Sequence, residues 1–501
     1  MFVVSGLHVG IITGILENIL KKIPLKENKK RFIIYLFLSG YLVITNFLVS
    51  VLRVSFAYIL KNIIKNETTH LDRIIINMII VLIINPFFAF QYSFILTYLI
   101  STMIIIINPI LINKKNIFVY ILNNIIISCL SVIITLPIVV NISSSINLLS
   151  ILYNIFYIPF VSYIVLPISL IISFCPFLEN FVGFIYIFFS SSINFLGGIN
   201  FFTLIVPSLN TISMLAYYII LFLSVYWLEN KKIYLLIFPL LFLACWYYKA
   251  NIDIYDKVVF LDVAEGDATH IKTAFNKSNI IIDTGIDTDD SVVSYLQKQG
   301  IRKIDLIIIS HGDSDHNGNL EKLINNFDVR CVVLSVYDLN TYNILKKNNF
   351  NKYKLVKRGT IFSVENIRFD VIWPENNMND VNNNSLVFKM YLDDVSFLFT
   401  GDIEKQAEEE LLKLENRIDT NILKIAHHAS NTSTKEKWLE LVSFDIGVAM
   451  CGSKNTFGFP NVYTKMRLKN YEVYYTIDKY TITFYKTFFT KKFRVKFQID
   501  G

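Results

Sequence analysis

The sequence predicts two unlike parts: a polytopic α-helical membrane domain over residues 1–248 and a layered α/β domain over 256–501. Three observations predict this. Apolar runs long enough to cross a bilayer recur through the first half. The composition changes sharply after Trp246-Tyr247-Tyr248-Lys249. From Asp256 onward short strand patterns alternate with amphipathic helical ones, the rhythm of a layered α/β fold.

Of the 501 residues 53% are hydrophobic, and the mean hydropathy of +0.48 is too high for a soluble protein. A spanning helix needs about 20 apolar residues. Runs of that order lie at 2–20, 32–60, 74–112, 117–141, 147–177, 181–196, 202–228 and 232–248. Pro86, Pro109, Pro159, Pro167 and Pro176 break several of them. Roughly eight to ten spans are expected, and their parity stays open. The expected setting is the cell membrane, crossed many times, with lipid as the solvent of this half. Lys21, Lys22, Lys26, Lys29, Lys30 and Arg31 crowd the first loop, which the positive-inside rule places on the cytoplasmic face. The side carrying the C-terminal domain does not follow. Met1 runs straight into an apolar stretch, so no cleavable signal is expected. Cys129, Cys175, Cys245, Cys331 and Cys451 share no paired spacing, which argues against a disulfide framework or a thiolate metal site. His8 and Arg53 stand in apolar surroundings, where such groups face a bundle interior or a water-filled cavity. They are expected to line a path.

In the second half strands are read at 258–261, 279–283, 305–309, 367–373, 385–391, 395–400, 422–426, 445–450 and 471–475, with helices at 289–299 and 403–414. The third strand runs into His311-Gly312-Asp313-Ser314-Asp315-His316, four metal-capable side chains in six positions. His311 and Asp313 offer one set of donors; Asp315 and His316 offer another. Two cations roughly 3.5–4 Å apart activate water and hold the leaving oxygen of a phosphoester. Mixed nitrogen and oxygen donors suit Zn²⁺ or Mn²⁺ better than Mg²⁺. Thr400-Gly401-Asp402 and His427-His428 also follow apolar strands, so Asp402 is placed to bridge two ions and His427 or His428 to complete one. Lys486, Lys491, Lys492, Arg494 and Lys496 are interleaved with Tyr485, Phe488, Phe489 and Phe493. That mixture suits contact with a single nucleic-acid strand and an amphipathic edge strand equally well. No glycine loop for cradling phosphate is present, so energy for any transport falls to a partner.

Taken in order, these residues resemble a family. Leu261-Asp262-Val263, Gly266-Asp267, Asp283-Thr284-Gly285, the H-x-D-x-D-H loop, Asn384-Ser385-Leu386, Thr400-Gly401-Asp402, Lys424, His427-His428, Ser430 and Ser433 follow the order of the metallo-β-lactamase fold. The variant is that of ComEC-type DNA-uptake proteins. Ser5-Gly6-Leu7-His8, Ser50-Val51-Leu52-Arg53, Asn85-Pro86, Phe90-Gln91-Tyr92-Ser93-Phe94, and Asn154 with Pro159 and Pro167 are similar to elements of that family's membrane channel. The resemblance implies an αββα sandwich in the C-terminal half and a role in DNA internalisation during competence. It implies a channel for single-stranded DNA lined by Ser5, His8, Arg53 and Gln91, joined to a nuclease that degrades the other strand. In that reading His311, Asp313, Asp315, His316, Asp402 and His427 hold two divalent ions, Zn²⁺ or Mn²⁺. Asp315 also serves catalysis, and Lys424 or His428 steadies charge developing on the phosphate. Implied partners are single-stranded DNA, a DNA receptor and a helicase-type ATPase of the uptake machinery, and the oligomeric state stays open.

The sequence departs from the family's pattern at Ala264, Glu265, Asn319, Phe459 and Tyr480. Phe459 stands where a histidine is usual, which bears on turnover more than on metal binding. The Ser-Gly-Leu-His element begins at residue 4 or 5, whereas the family carries an OB-like region and further spans before it. A late gene start or a shortened form is the expectation. Two other readings stay open: a membrane-anchored hydrolase of small esters or nucleotides, and a transport body with an inactive hydrolase domain.

Overall fold

The computed structural model describes residues 6–64, 68–108, 116–165, 167–169, 172, 179–197, 202–263, 265–288, 290–415, 417–452, 455, 457–490 and 492–498. Ser5, Pro109, Cys175, Pro176, Ala264 and Lys491 lie outside the described residues, as does the side chain of His8. The chain divides into two compact units, Met1–Leu204 with Ser208–Leu243, and Ile205–Pro207 with Ala244–Gly501.

The first unit is helical: α1 (Gly6–Lys21), α2 (Glu27–Ile44), α3 (Val49–Ile63), α4 (His70–Ile84), α5 (Tyr92–Ile107), α6 (Ile117–Ser143), α7 (Ser150–Phe160), α8 (Glu179–Gly197) and α9 (Thr211–Glu229). The apolar run 32–60 is cut in two because Asn46 and Phe47 turn left-handed, at φ 50° and 54°. The run 74–112 is cut at Asn85, whose side-chain oxygen accepts from Phe87 N–H and starts a short 3₁₀ turn, Pro86–Phe90. Thr69 and Asp72 close a capping box that fixes the start of α4. Among the described residues two helices are long and apolar enough to cross a membrane, Ile125–Ser143 and Thr211–Leu228. The others expected as spans are shorter or more charged. At about 1.5 Å per residue, the 15 residues of α3 or α4 reach about 22 Å, less than a hydrocarbon core of about 30 Å.

A chain of polar contacts runs inside this unit. Arg53 Nε donates to Thr97 Oγ1 at 2.9 Å, and Arg53 C=O accepts from Asn77 Nδ2 at 2.8 Å. Tyr98 O–H donates to Asn77 Oδ1 at 2.6 Å, and Asn77 is 1% exposed. Arg53 therefore ties α3 to α4 and α5, as an ionisable group among apolar helices must. Gln91 sits exposed just before α5 and makes no side-chain cap to it.

The second unit is built on two sheets. The first contains β1 (Tyr255–Phe260), β2 (Thr269–Lys272), β3 (Asn279–Ile282), β4 (Leu306–Ile308), β5 (Val332–Ser335) and β6 (Tyr353–Val356). The second contains β7 (Ile361–Val364), β8 (Ile367–Trp373), β9 (Val387–Leu392), β10 (Val395–Phe399), β11 (Ile418–Lys424), β12 (Val442–Ala449) and β13 (Val473–Tyr475). The chain then returns to the first sheet with β14 (Thr481–Thr487) and β15 (Arg494–Gln498), giving the order β6-β5-β4-β3-β2-β1-β14-β15. The second sheet runs β7 to β13 in sequence order. In each sheet one half is antiparallel, and the other, β3 to β6 or β10 to β13, is parallel.

Alternation along the strands decides the layering. Val258, Phe260, Ile280 and Ile282 point inward to meet Phe369, Phe388, Phe397 and Phe399 of the other sheet. Val259, Ile281 and Ile307 point outward, onto Val292 and Leu296 of α10 (Ser291–Gln299) and Leu320 and Leu323 of α11 (Leu320–Asn326). Leu398 and Leu423 cover the opposite outer face with Ala407 and Leu411 of α12 (Lys405–Leu414) and Trp438 of α13 (Glu436–Leu441). The result is an αββα sandwich. The basic, aromatic C-terminal stretch is the edge hairpin β14–β15: Lys486 is buried against Asp256 and Asp393, and Phe493 packs on the inter-sheet core. Of the two readings of that stretch, the structure supplies the amphipathic strand.

Candidate metal centre at the sheet edge

The C-terminal ends of β3, β4, β10 and β11 open toward one edge of the sandwich, and the polar motifs follow them there. After β4 the chain passes Ser310 and enters a single helical turn, Ser314–Asn317, that carries Asp315 and His316. Gly266, at φ +95°, lets the loop after β1 close on this turn: a Cβ there would lie 1.9 Å from Asp315 C=O. Asp267 N–H donates to that same carbonyl at 3.2 Å. Gly401, at φ +51°, is equally tight, since its Cβ would come 2.7 Å from Ser385 Cβ and 3.0 Å from Ser310 Cβ. Ser385 Oγ accepts from Asp402 N–H at 3.1 Å, so three separate loops are locked where Asp402 begins.

His427, His428 and Ala429 follow β11 with φ of 48°, 49° and 61°. Three consecutive left-handed residues without glycine are costly, on the order of 1–3 kcal/mol each. That turn throws the two imidazoles in different directions. His428 is 4% exposed, and its Nε2 lies 3.1 Å from Asp402 Oδ2 and 3.3 Å from Asp315 Oδ2. His427 turns outward: its Nδ1 is 3.2 Å from Glu404 Oε1 and 3.2 Å from Thr432 Oγ1, while its Nε2 is 3.9 Å from Asp402 Oδ2.

Donor atoms of Asp315, His316, Asp402 and His428 all lie within 4.8 Å of one another. His316 Nε2 is 3.3 Å from Asp402 Oδ2 and 3.8 Å from Asp315 Oδ2. Its Nδ1 faces the other way, 2.9 Å from Asp283 Oδ2. Asp283 Oδ1 in turn accepts from Ser310 N–H at 2.7 Å. His316 Nε2 and His428 Nε2 are buried without a hydrogen-bond partner. Two such nitrogens, converging with two carboxylates, fit a divalent cation, and the mixed donor set is of the type zinc or manganese accepts.

A second group, Asp267, Asp283 and His316, lies deeper. It already has its positive charge. Lys424, 3% exposed, places its ammonium against Asp267, 3.3 Å from Asp402 Oδ1 and 2.8 Å from Gly401 C=O. Burial works against charge throughout, yet the opposite charges prevail. Burial alone would lower the imidazoles of His316 and His428, but Asp402, with Asp283 or Asp267, holds both well above the usual histidine range. Burial would raise Asp402, but His428, His316 and Lys424 hold it well below the usual carboxylate range. Burial would lower Lys424, and Asp267 and Asp402 raise it instead.

These positions differ in part from the arrangement expected from the sequence. His428, expected as a catalytic donor, stands with the four-donor group, and His427, expected as a ligand, faces Glu404. Lys424, expected to steady a phosphate, is spent beneath the site on carboxylates. His311 and Asp313 are outside the four-donor group and face each other, Nε2 to Oδ2 at 3.6 Å. Ser310 Oγ bridges His311 Nδ1 at 3.0 Å and His316 Nδ1 at 3.2 Å. Asp267 and Asp283 enter the sequence reading only as members of a motif, and the signal they carry is an acidic residue one or two positions from glycine in a loop flanking a strand. Asn319, where the family has glycine, donates its amide to Thr284 C=O and Ile286 C=O and knits the loop after β3.

The centre opens into a cavity of about 240 Å³, walled by Asp313, Asp315, Asp402, His427, His428, Asn455, Phe457 and Phe459 among others.

The competence protein family profile matches residues 1–231, and the metallo-beta-lactamase superfamily profile matches residues 271–453. ComE operon protein 3 of Bacillus subtilis is 23% identical over 505 residues, covering 92% of this chain and 64% of its own length. Recombination protein 2 of Haemophilus influenzae is 28% identical over 221 residues, covering 42% of this chain and 26% of its own. The chain thus spans less than two thirds of the length of these curated relatives. Among solved structures, the metallo-beta-lactamase fold protein YhfI from Bacillus subtilis aligns with a TM-score of 0.33 at 8% identity, over 45% of this chain and 98% of its own.

Proposed function

We propose, from the premise that this chain joins a competence-protein domain to a metallo-β-lactamase domain, that it serves DNA internalisation. The first unit passes a single strand across the membrane in several spans, and the second is a metal-dependent phosphodiesterase acting on the strand that does not enter. The observation that carries this reading is the convergence of Asp315, His316, Asp402 and His428 beside an open cavity. A divalent cation held there supplies Lewis acidity, polarising a phosphoryl oxygen and making water a better nucleophile near neutral pH.

The chain's own residues do the rest. Asp283 holds His316 by Nδ1, so that Nε2 is presented to the site. Lys424 draws Asp267 and Asp402 together. His427, oriented by Glu404 and Thr432, lines the cavity beside the four donors. Arg53, half-buried and held by Thr97, is a cation inside the translocating unit.

The test uses the full chain in detergent, with metal content and cleavage of single-stranded DNA measured together. Wild type should bind metal and cut DNA, and Asp402→Ala should lose both. Metal without DNA cleavage favours an inactive hydrolase domain, whereas cleavage of small esters alone favours a membrane-anchored esterase.

A further inference from the structure

One aromatic side chain in the cavity has no core to pack into. Phe457 is 71% exposed although it belongs to the wall of the metal-centre cavity. It is not isolated. Its ring stacks on Phe459 with centroids 5.7 Å apart and planes inclined by 22°. Phe459 in turn lies 5.8 Å from the His428 ring at 31°, and 5.9 Å from the His427 ring. A column of flat π-faces therefore leads from solvent down to the imidazole that joins the carboxylates.

The column is braced from behind. Asn455 Oδ1 accepts from Phe459 N–H at 2.8 Å, while its Nδ2 donates to Phe459 C=O at 2.9 Å and to Gly452 C=O at 2.7 Å. One side chain thus closes the loop on itself and fixes the height of Phe459. Asn382, which lines the same cavity, carries a buried amide oxygen without a hydrogen-bond partner. A ligand of this cavity therefore meets a flat apolar face with the Asn382 amide in the wall beside it. A purely apolar group uses only the first. A nucleobase, with its π-face and ring or exocyclic N–H groups, uses both, and base stacking on an aromatic side chain tolerates any sequence.

We propose that Phe457 is a stacking platform for an unpaired nucleobase of a strand whose backbone lies at the Asp315–His316–Asp402–His428 group. This rests on the DNA-cleaving reading above and narrows it: the substrate enters as single strand, because a base paired in a duplex has no free face to offer. Phe459, standing where the family has histidine, then serves as the inner member of the platform.

The test measures binding by the full chain in detergent, without added metal, using fluorescence anisotropy. The probes are a thymidine oligonucleotide and an abasic oligonucleotide of the same length. Phe457→Ala should weaken binding of the thymidine strand by about 5- to 150-fold, the range for losing one stacked base. It should leave the abasic strand unchanged, and Phe457→Trp should keep wild-type affinity. Equal affinity of Phe457→Ala and wild type for the thymidine strand, or equal weakening on both probes, overturns the platform. If wild type nonetheless cuts DNA, the phosphodiesterase reading survives that result. Failure of wild type to bind either strand overturns both.

Discussion

Asp283→Asn tests how the centre is tuned, because the substitution changes one proton and almost no shape. In the native site Asp283 has two oxygens with two duties. Oδ1 accepts Ser310 N–H at 2.7 Å, which ties the end of β3 to the metal loop, and Oδ2 faces His316 Nδ1 at 2.9 Å. A carboxylate can only accept, so Nδ1 keeps its proton, and the proton given up when a cation binds is the one on Nε2, whose lone pair then faces the site beside Asp315 and Asp402. An asparagine oxygen still serves Ser310, but its amide donates toward Nδ1. The ring proton then stays on Nε2, which no longer offers a lone pair. Loss of such an orienting partner costs 10- to 100-fold in metal affinity, about 1.4–2.7 kcal/mol. Competition with a chromophoric chelator, on full chain in detergent at pH 7.5, reads this directly. The thermal midpoint of the metal-free variant should stay close to wild type, since the Ser310 contact is kept. Undiminished affinity in Asp283→Asn would refute the orienting role, and with it the assignment of His316 Nε2 as a donor.

Two further predictions concern the scaffold. Glu408, 1% exposed, accepts N–H bonds from Thr434 and Lys435 where α13 begins, and burial raises its carboxyl from 4.5 to about 7 against those bonds. A folded-state value above the unfolded one means stability is fully present below pH 4.5 and declines as pH rises toward 7, by about 3 kcal/mol. Glu408→Gln should flatten that decline in thermal midpoints taken between pH 4.5 and 8, and parallel profiles would sink the assignment. Tyr480 adopts φ +56° and ψ −142°, a region that only glycine enters freely, with its ring 38% exposed. Tyr480→Gly should therefore stabilise by on the order of 1 kcal/mol, and a lowered midpoint would count against backbone strain there.

What the sequence disclosed follows a physical pattern. Strand β8 is read at its observed bounds, 367–373, because Ile367, Phe369, Val371 and Trp373 alternate with more exposed residues. Strand β2 escapes, because Thr269-His270-Ile271-Lys272 is buried throughout and does not alternate. Its polar members are affordable only through partners far along the chain: Lys272 binds Asp253, and His270, held by burial down at about 3, meets Asn279 and Tyr295. No local pattern contains those pairings. The same holds for the helical unit, where hydropathy sees residues 32–60 as nearly continuous but two left-handed residues divide them. The choice between His427 and His428 is a sharper case. The two are identical in chemistry and adjacent, and only the left-handed turn through Ala429 decides which faces Asp402.

The charges of the centre explain why a lysine belongs there. Asp267, Asp283, Asp315 and Asp402 crowd one edge, and burying a carboxylate without compensation is prohibitive. The inner pair is answered within the protein, Asp267 by Lys424 and Asp283 by the N–H of Ser310 and His316 Nδ1. The outer pair, Asp315 and Asp402, meets the imidazoles of His316 and His428, and Asp402 Oδ1 also takes Lys424 Nζ at 3.3 Å. Lys424 therefore lets the inner half assemble from side chains alone, and the outer half is answered by two imidazoles whose Nε2 protons a bound cation would displace. The outer half is the one that lines the cavity, so Lys424, buried beneath it, sets which side of the carboxylate cluster is left for a cation.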